Sequence, residues 1–306
     1  MFSSKRKISP GLNTGEITSL SMFQQSWIQF KRNKTAVVGM IVVGILILIS
    51  FGTIIVDIVT KNAIYEKYVV AQDLTLRLAK PSAEHIFGCD ELGRDLFFRV
   101  LWGTRLSLFI GLAAILIATV IGGFLGLIAG YYGGVTDSIV MRLMDVLLAI
   151  PYMLLAMAIV AALGTSTQNL LIALAVPNIA KYARIARAAV LTEKDKEYVE
   201  AMRANGAGNF RILFKYILPN AFAPILVQVT LGIGDSILAV AGLSFLGIGV
   251  QPPSAEWGAI LTTARTYMRD AMHVSIFPGA MLVITVMVFN LFGDGLRDAM
   301  DPKLKR

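Results

Sequence analysis

The sequence predicts an all-α polytopic membrane protein with six transmembrane helices, and three observations carry that prediction. Hydrophobic residues make up 56% of the 306 and charged residues only 16%. Counting glycine, the apolar share is about 65%, against roughly 45–50% for soluble domains. Uncharged stretches recur at the length a hydrocarbon core about 30 Å thick requires, about 20 apolar residues per helix. Lys and Arg gather in alternate loops, the arrangement that orients membrane spans. A single cysteine, Cys89, and two histidines, His85 and His273, exclude an internal disulfide scaffold and predict no metal centre.

The first span runs from Thr35 to Val56 behind Lys31, Arg32 and Lys34. It starts too deep in the chain and is too long to be a signal-peptide core. The second lies within Leu106–Thr136, and its Gly-Tyr-Tyr-Gly-Gly tail, Gly130 to Gly134, reads as an interfacial turn. The third covers Ile139–Leu163. The polar tract Gly164–Asn169 separates it from a shorter fourth, which runs from Leu170 into Lys181, Arg184 and Arg187. The fifth spans Ala221–Leu243 and the sixth Ile276–Phe292. Pro151 and Pro177 are expected to break the third and fourth, as static kinks or as hinges.

Orientation follows from the 28 basic residues. With the N-terminus inside, the cytoplasmic segments 1–36, 131–142, 181–219 and 293–306 hold six, one, eight and four of them, and the outside segments 60–105 and 248–275 hold seven and two. Both termini are therefore expected inside. The net charge of +8 is a topology signal, and no aromatic-interleaved basic patch points to nucleic acid. The organisation this gives is a cytoplasmic segment 1–36, a first helix 37–59, an extracytoplasmic loop 60–104 with an elbow, a five-helix core 105–293 and a cytoplasmic tail 294–306.

The loop from Lys181 to Pro219 has helical content. A first short helix, Glu193–Asn205, stops at Asn205-Gly206; a second, Phe210–Leu218, ends at Pro219. Such a helical elbow suits docking into a groove on a partner, or rests on lipid headgroups. Glu200-Ala201, Gly206 and Leu218-Pro219 resemble in spacing the Glu-Ala-Ala signature of the permease subunits of binding-protein-dependent ABC importers. Met202 and Tyr216 depart from the usual Ala and Ile. The run Glu84-His85 to Gly93-Arg94-Asp95, Gly242 to Pro253 with Glu256-Trp257-Gly258, Phe277-Pro278-Gly279, and Asn290 to Asp298 with Asp301-Pro302 resemble the C-type permease of the dipeptide, oligopeptide and nickel branch. In the first of these Cys89 replaces a usual Thr.

The resemblance implies a type I ABC importer permease fold with a cytoplasmic coupling helix in the loop 191–219, and a bacterial inner-membrane location. It implies as partners a homologous permease, two ATPase subunits and an extracytoplasmic substrate-binding protein, besides membrane lipid. No cofactor is expected in this chain, ATP and magnesium belonging to the ATPases. Glu200, Ala201, Arg203, Gly206, Leu218 and Pro219 would form the coupling surface. Asp90, Gly93, Arg94 and Asp95 would organise the extracytoplasmic gate or binding-protein docking, or with Arg99 and Arg105 form a solvated or headgroup-binding face. The cargo implied is a peptide, with nickel or another small solute as the alternative.

The residues alone also admit an ion-gradient transporter working through Asp145 or Asp235, carboxylates near membrane depth. The bland reading of both is pairing with a nearby arginine such as Arg142. The chain has no Gly-x4-Gly-Lys-Ser/Thr phosphate loop and no Gly-x-Ser-x-Gly elbow, so catalysis by it is not expected. Gly111, Gly122, Gly123, Gly126, Gly130, Gly232 and Gly234 serve either close helix packing or the transport path.

Overall fold

The computed structural model describes residues 22–300. Residues 1–21 of the predicted N-terminal segment, and 301–306 of the tail with Asp301-Pro302, lie outside them. The helices are α1 (Met22–Arg32), α2 (Lys34–Val59), α3 (Leu96–Tyr132), α4 (Gly134–Leu148), α5 (Tyr152–Leu163), α6 (Thr167–Glu193), α7 (Glu197–Ala204), α8 (Leu218–Phe245), α9 (Trp257–Ala264) and α10 (His273–Met300). No strand occurs among the described residues.

Among the described residues four helices are each long and apolar enough to cross a bilayer: α2, α3, α8 with its lead-in from Asn209, and α10. The α4–α5 pair makes a fifth if counted as one span bent by 85°. Pro151 sits at that bend, where its fixed φ and missing N–H break the helix. The predicted third span is therefore two helices. The predicted fourth differs more: α6 runs 27 residues, through Lys181, Arg184 and Arg187 and on to Glu193. It falls short of the apolar spans in composition. Its Lys181, Arg184 and Arg187 are matched instead by Asp235, Asp145 and Asp137 at 3.6, 2.5 and 2.5 Å. Pro177, expected to break it, lies buried inside a continuous helix. Asn178 Nδ2 donates to the Leu174 carbonyl at 2.9 Å, supplying a bond in the turn the proline loosens.

The α3–α6 pair is the centre of the bundle. Gly122, Gly126 and Gly130, four residues apart on α3, meet the α6 backbone at Ile179, Ala183 and Arg187. A Cβ at Gly122 or Gly126 would run into a carbonyl oxygen, so the two backbones approach as closely as small-residue stripes permit. Packing also accounts for Gly111 against Ile237 and Gly232 against the Tyr182 hydroxyl, whereas a Cβ at Gly123 meets nothing within 4 Å. On the flank, α2 and α10 approach at Gly39 and Gly295, the latter against Ala36. The outer faces of α2, α3 and α10 present exposed Leu48, Phe51, Val120 and Val283, apolar surface suited to lipid.

Candidate functional site

At one end of α3, α7 stands apart from the bundle. Gly206, at φ +77°, makes the turn that ends it, the left-handed conformation that favours glycine. One face of α7 is anchored: Val199 is buried with Ile212, Leu213, Ile217 and Tyr131. Its base is tied by Glu193, which accepts hydrogen bonds from Lys196 Nζ at 2.6 Å and Tyr198 Oη at 2.9 Å. Burial and that carboxylate push the Tyr198 hydroxyl up to about 12. Tyr131 Oη donates to Asn209 at 2.9 Å, and the Arg203 guanidinium lies 5.9 Å from the Tyr131 ring. Glu200 and Ala201 lie away from that anchor, Arg203 lies one turn after Val199 beside the Tyr131 ring, and all three are exposed with Gly206 beside them. The result is a charged helix face with a small residue at its middle, held rigidly from behind.

Leu218 and Pro219 behave otherwise than expected. Pro219 does not end a helix; the helical run from Asn209 continues through it to Phe245. Residues Ile212–Ile217 form a wider turn in which the Leu218 N–H reaches the Leu213 carbonyl, five residues back. That spacing absorbs the donor a proline lacks. Movement of α7 passes through the short turn at residues 205–208 to this unbroken helical run, and so to the whole of α8.

At the far end of α3 the charge run of the 60–95 segment is buried, not solvated. Asp90 is 1% exposed and Arg94 5%. Asp90 Oδ1 accepts the Leu92 and Arg94 backbone N–H groups at 2.9 and 3.0 Å. Its Oδ2 accepts Arg94 Nε at 2.7 Å and lies 3.2 Å from Arg99 Nε. Arg99 also donates to the Val69 carbonyl at 2.8 Å, and Arg94 to Glu91 at 2.8 Å. Asp95 caps α3 through the Phe98 N–H at 3.1 Å and pairs with His85 Nδ1 at 2.8 Å. Gly93, at φ +73°, sits where a Cβ would overlap the Asp73 carbonyl. Arg105 pairs with Asp57 of α2, which also accepts Trp102 Nε1 at 3.0 Å.

The same architecture is found in known proteins. Residues 122–306 match the family described as binding-protein-dependent transport system inner membrane component, and residues 21–81 match the N-terminal membrane domain of oligopeptide transport permease C. The chain belongs to this permease family. It is 44% identical to the dipeptide transport system permease protein DppC of Alkalihalophilus pseudofirmus over 95% of this chain and 93% of that one. To the DppC protein of Haemophilus influenzae it is 42% identical, over 92% and 95%. Among solved structures, the MetNI methionine ABC transporter in an inward-facing conformation aligns with a TM-score of 0.56 at 20% identity, covering 67% of this chain and 98% of that one. That likeness speaks to the fold alone.

In the permease, Asp145 pairs with Arg184, not with Arg142, and Asp235 pairs with Lys181. Cys89 is wholly buried, and burial among Asp95, Asp90 and Asp73 raises its thiol to about 11. His273 Nε2 lies 3.4 Å from the Cys89 carbonyl and His85 is engaged with Asp95, so each histidine has a structural partner. No group of three metal-ligating side chains occurs among the described residues. Two buried carboxylates escape the sequence argument. Glu256, fully buried, caps α9 through the Gly258 and Ala259 N–H groups at 2.9 Å each and accepts Ser107 Oγ at 3.0 Å. Asp57 falls one residue past the predicted end of the first span; a lone acid at a helix end was the available signal.

Proposed function

We propose that this permease is the C-type subunit of a peptide importer, forming the path together with a homologous permease. Two ATPase subunits drive it and an extracytoplasmic binding protein delivers the cargo. The observation that carries the reading is α7: an exposed surface of Glu200, Ala201 and Arg203, anchored by Val199 and joined by the short turn at 205–208 to the helical run that passes through Leu218 and Pro219 into a membrane helix. Closure of the ATPase pair moves the groove that holds α7, and the rigid connection to α6 and α8 turns that motion into a change of helix packing. The dipeptide names of its relatives support the cargo class.

In this reading both termini and α7 are cytoplasmic, as the basic-residue count favours, in the inner membrane of a bacterium. The segments divide as 1–36, 37–59, 60–104, the core 105–293 and 294–306, with coupling loop 191–219. The Asp90, Gly93, Arg94 and Asp95 cluster is buried, so it organises the outer gate and the binding-protein surface from beneath. The chain performs no chemistry of its own; ATP and magnesium are bound by the partner ATPases. The pairing of Asp145 and Asp235 with arginine and lysine weighs against a proton or sodium relay through either.

The test is reconstitution. The complete assembly in liposomes imports a labelled dipeptide when ATP is supplied to the ATPase side, and this chain alone imports none under a proton or sodium gradient. Gradient-driven import by the chain alone would overturn the reading.

A further inference from the structure

At the α4–α5 bend, beside Pro151, lies a cavity of about 560 Å³ shared with α6 and α8, within the size range of small-molecule sites. Tyr152, Asn178, Lys181, Asp235 and Ser236 supply its polar wall. Helical rise puts Lys181 about 21 Å from the Thr167 end of α6, and Asp235 about 15 Å from the Phe245 end of α8, well inside a core about 30 Å thick. Asp235 is nevertheless 69% exposed and Lys181 38%. A carboxylate so exposed at that depth cannot face lipid without great cost, so this wall meets water or another protein.

The two charges stand 3.6 Å apart, an ion pair without a hydrogen bond, and exposed pairs of this kind are weakly held. Ser236 lines the same wall, with its hydroxyl buried behind it. A peptide carries one ammonium and one carboxylate at its ends, the complement of this pair.

We propose that the cavity is a transit subsite for the termini of a peptide. The pair opens, the Lys181 ammonium takes the terminal carboxylate on its flexible stem, and Asp235 takes the α-ammonium group. The Arg184–Asp145 pair continues the charged wall toward α7. The proposal rests on the peptide reading above.

The test uses the complete assembly in liposomes, with labelled alanyl-alanine as cargo and the ATPase turnover elicited by peptide-free binding protein as the second readout. Asp235→Asn and Lys181→Gln each lower import about tenfold or more while that turnover stays near wild type. The charge exchange Lys181→Asp with Asp235→Lys keeps a pair but reverses its direction, and it does not rescue import. Normal import by either single variant, rescue by the exchange, or loss of turnover along with import would overturn the subsite, the last two because they mark a structural pair. Failure of the wild-type assembly to import alanyl-alanine would instead strike the peptide reading itself.

Discussion

Asp90 concentrates more polar contacts than any other carboxylate described above, and replacing it should cost most of the stability of the 60–95 segment. Its two oxygens do separate work: Oδ1 holds two backbone N–H groups of a turn, while Oδ2 faces the guanidinium groups of Arg94 and Arg99. All three side chains are buried. Removing one partner of a buried ion pair leaves an uncompensated charge and costs about 3–5 kcal/mol. The two orphaned N–H groups of an Asp90→Ala variant add about 1–3 kcal/mol each if no water reaches them. Asp90→Asn keeps an oxygen for the turn but places an amide where the anion was, so the loss should remain about 3 kcal/mol or more. Trp102 and Trp257 report on the region, since Trp102 lies on α3 beside Phe98 and Trp257 Nε1 donates to the Val100 carbonyl at 2.9 Å. Their fluorescence, followed through an SDS titration in mixed micelles, should show both variants unfolding at distinctly lower denaturant, with Asn close to Ala. A stability of Asp90→Asn within about 0.5 kcal/mol of wild type, the range of ordinary surface substitutions, would refute the argument that charge burial governs this segment.

Other expectations are as definite. Gly126→Ala should lower the stability of the bundle by roughly 1–3 kcal/mol through overpacking, because its Cβ meets the Ala183 carbonyl; Gly123→Ala, with open space, should stabilise α3 by up to about 1 kcal/mol. The same SDS titration reads both, and equal effects would contradict the packing assignment. Glu256→Ala should cost about 1–3 kcal/mol by uncapping α9 and freeing Ser107, seen as a lower thermal midpoint that Glu256→Gln partly restores. Cys89 should resist maleimide at pH 8 in the folded protein and react once unfolded, because its thiol titrates at about 11. Since that value is raised from about 9, the associated stability is complete below pH 9 and is lost as pH climbs through 11. Prompt labelling of the folded protein would contradict this.

The apolar spans were legible because hydrocarbon thickness and backbone satisfaction leave so few alternatives, and the α7 turn because Asn205-Gly206 is a local signal. What failed was inference from charge and proline alone. Lys181, Arg184 and Arg187 looked like the end of a helix because their partners, Asp235, Asp145 and Asp137, lie 39 to 54 residues away in sequence. Pro177 and Pro219 looked like stops because tertiary burial and a widened turn, the features that accommodate them, have no local signature. The run from Arg94 to Arg105 could be read as a solvated face or as an organiser of the outer gate because a buried network and a surface one share a composition; only folding reveals which oxygens face which guanidinium groups.

The central claim is that α7 transmits ATPase motion into the permease, and peptide import per ATP hydrolysed by the complete assembly in liposomes tests it most directly. With Glu200→Lys, which reverses an exposed charge at the middle of α7, or Gly206→Leu, which forces a branched side chain into φ +77°, the account predicts that import per ATP falls about tenfold or more, the equivalent of about 1.4 kcal/mol of lost coupling, with membrane insertion intact. Wild-type import per ATP from both variants would contradict it.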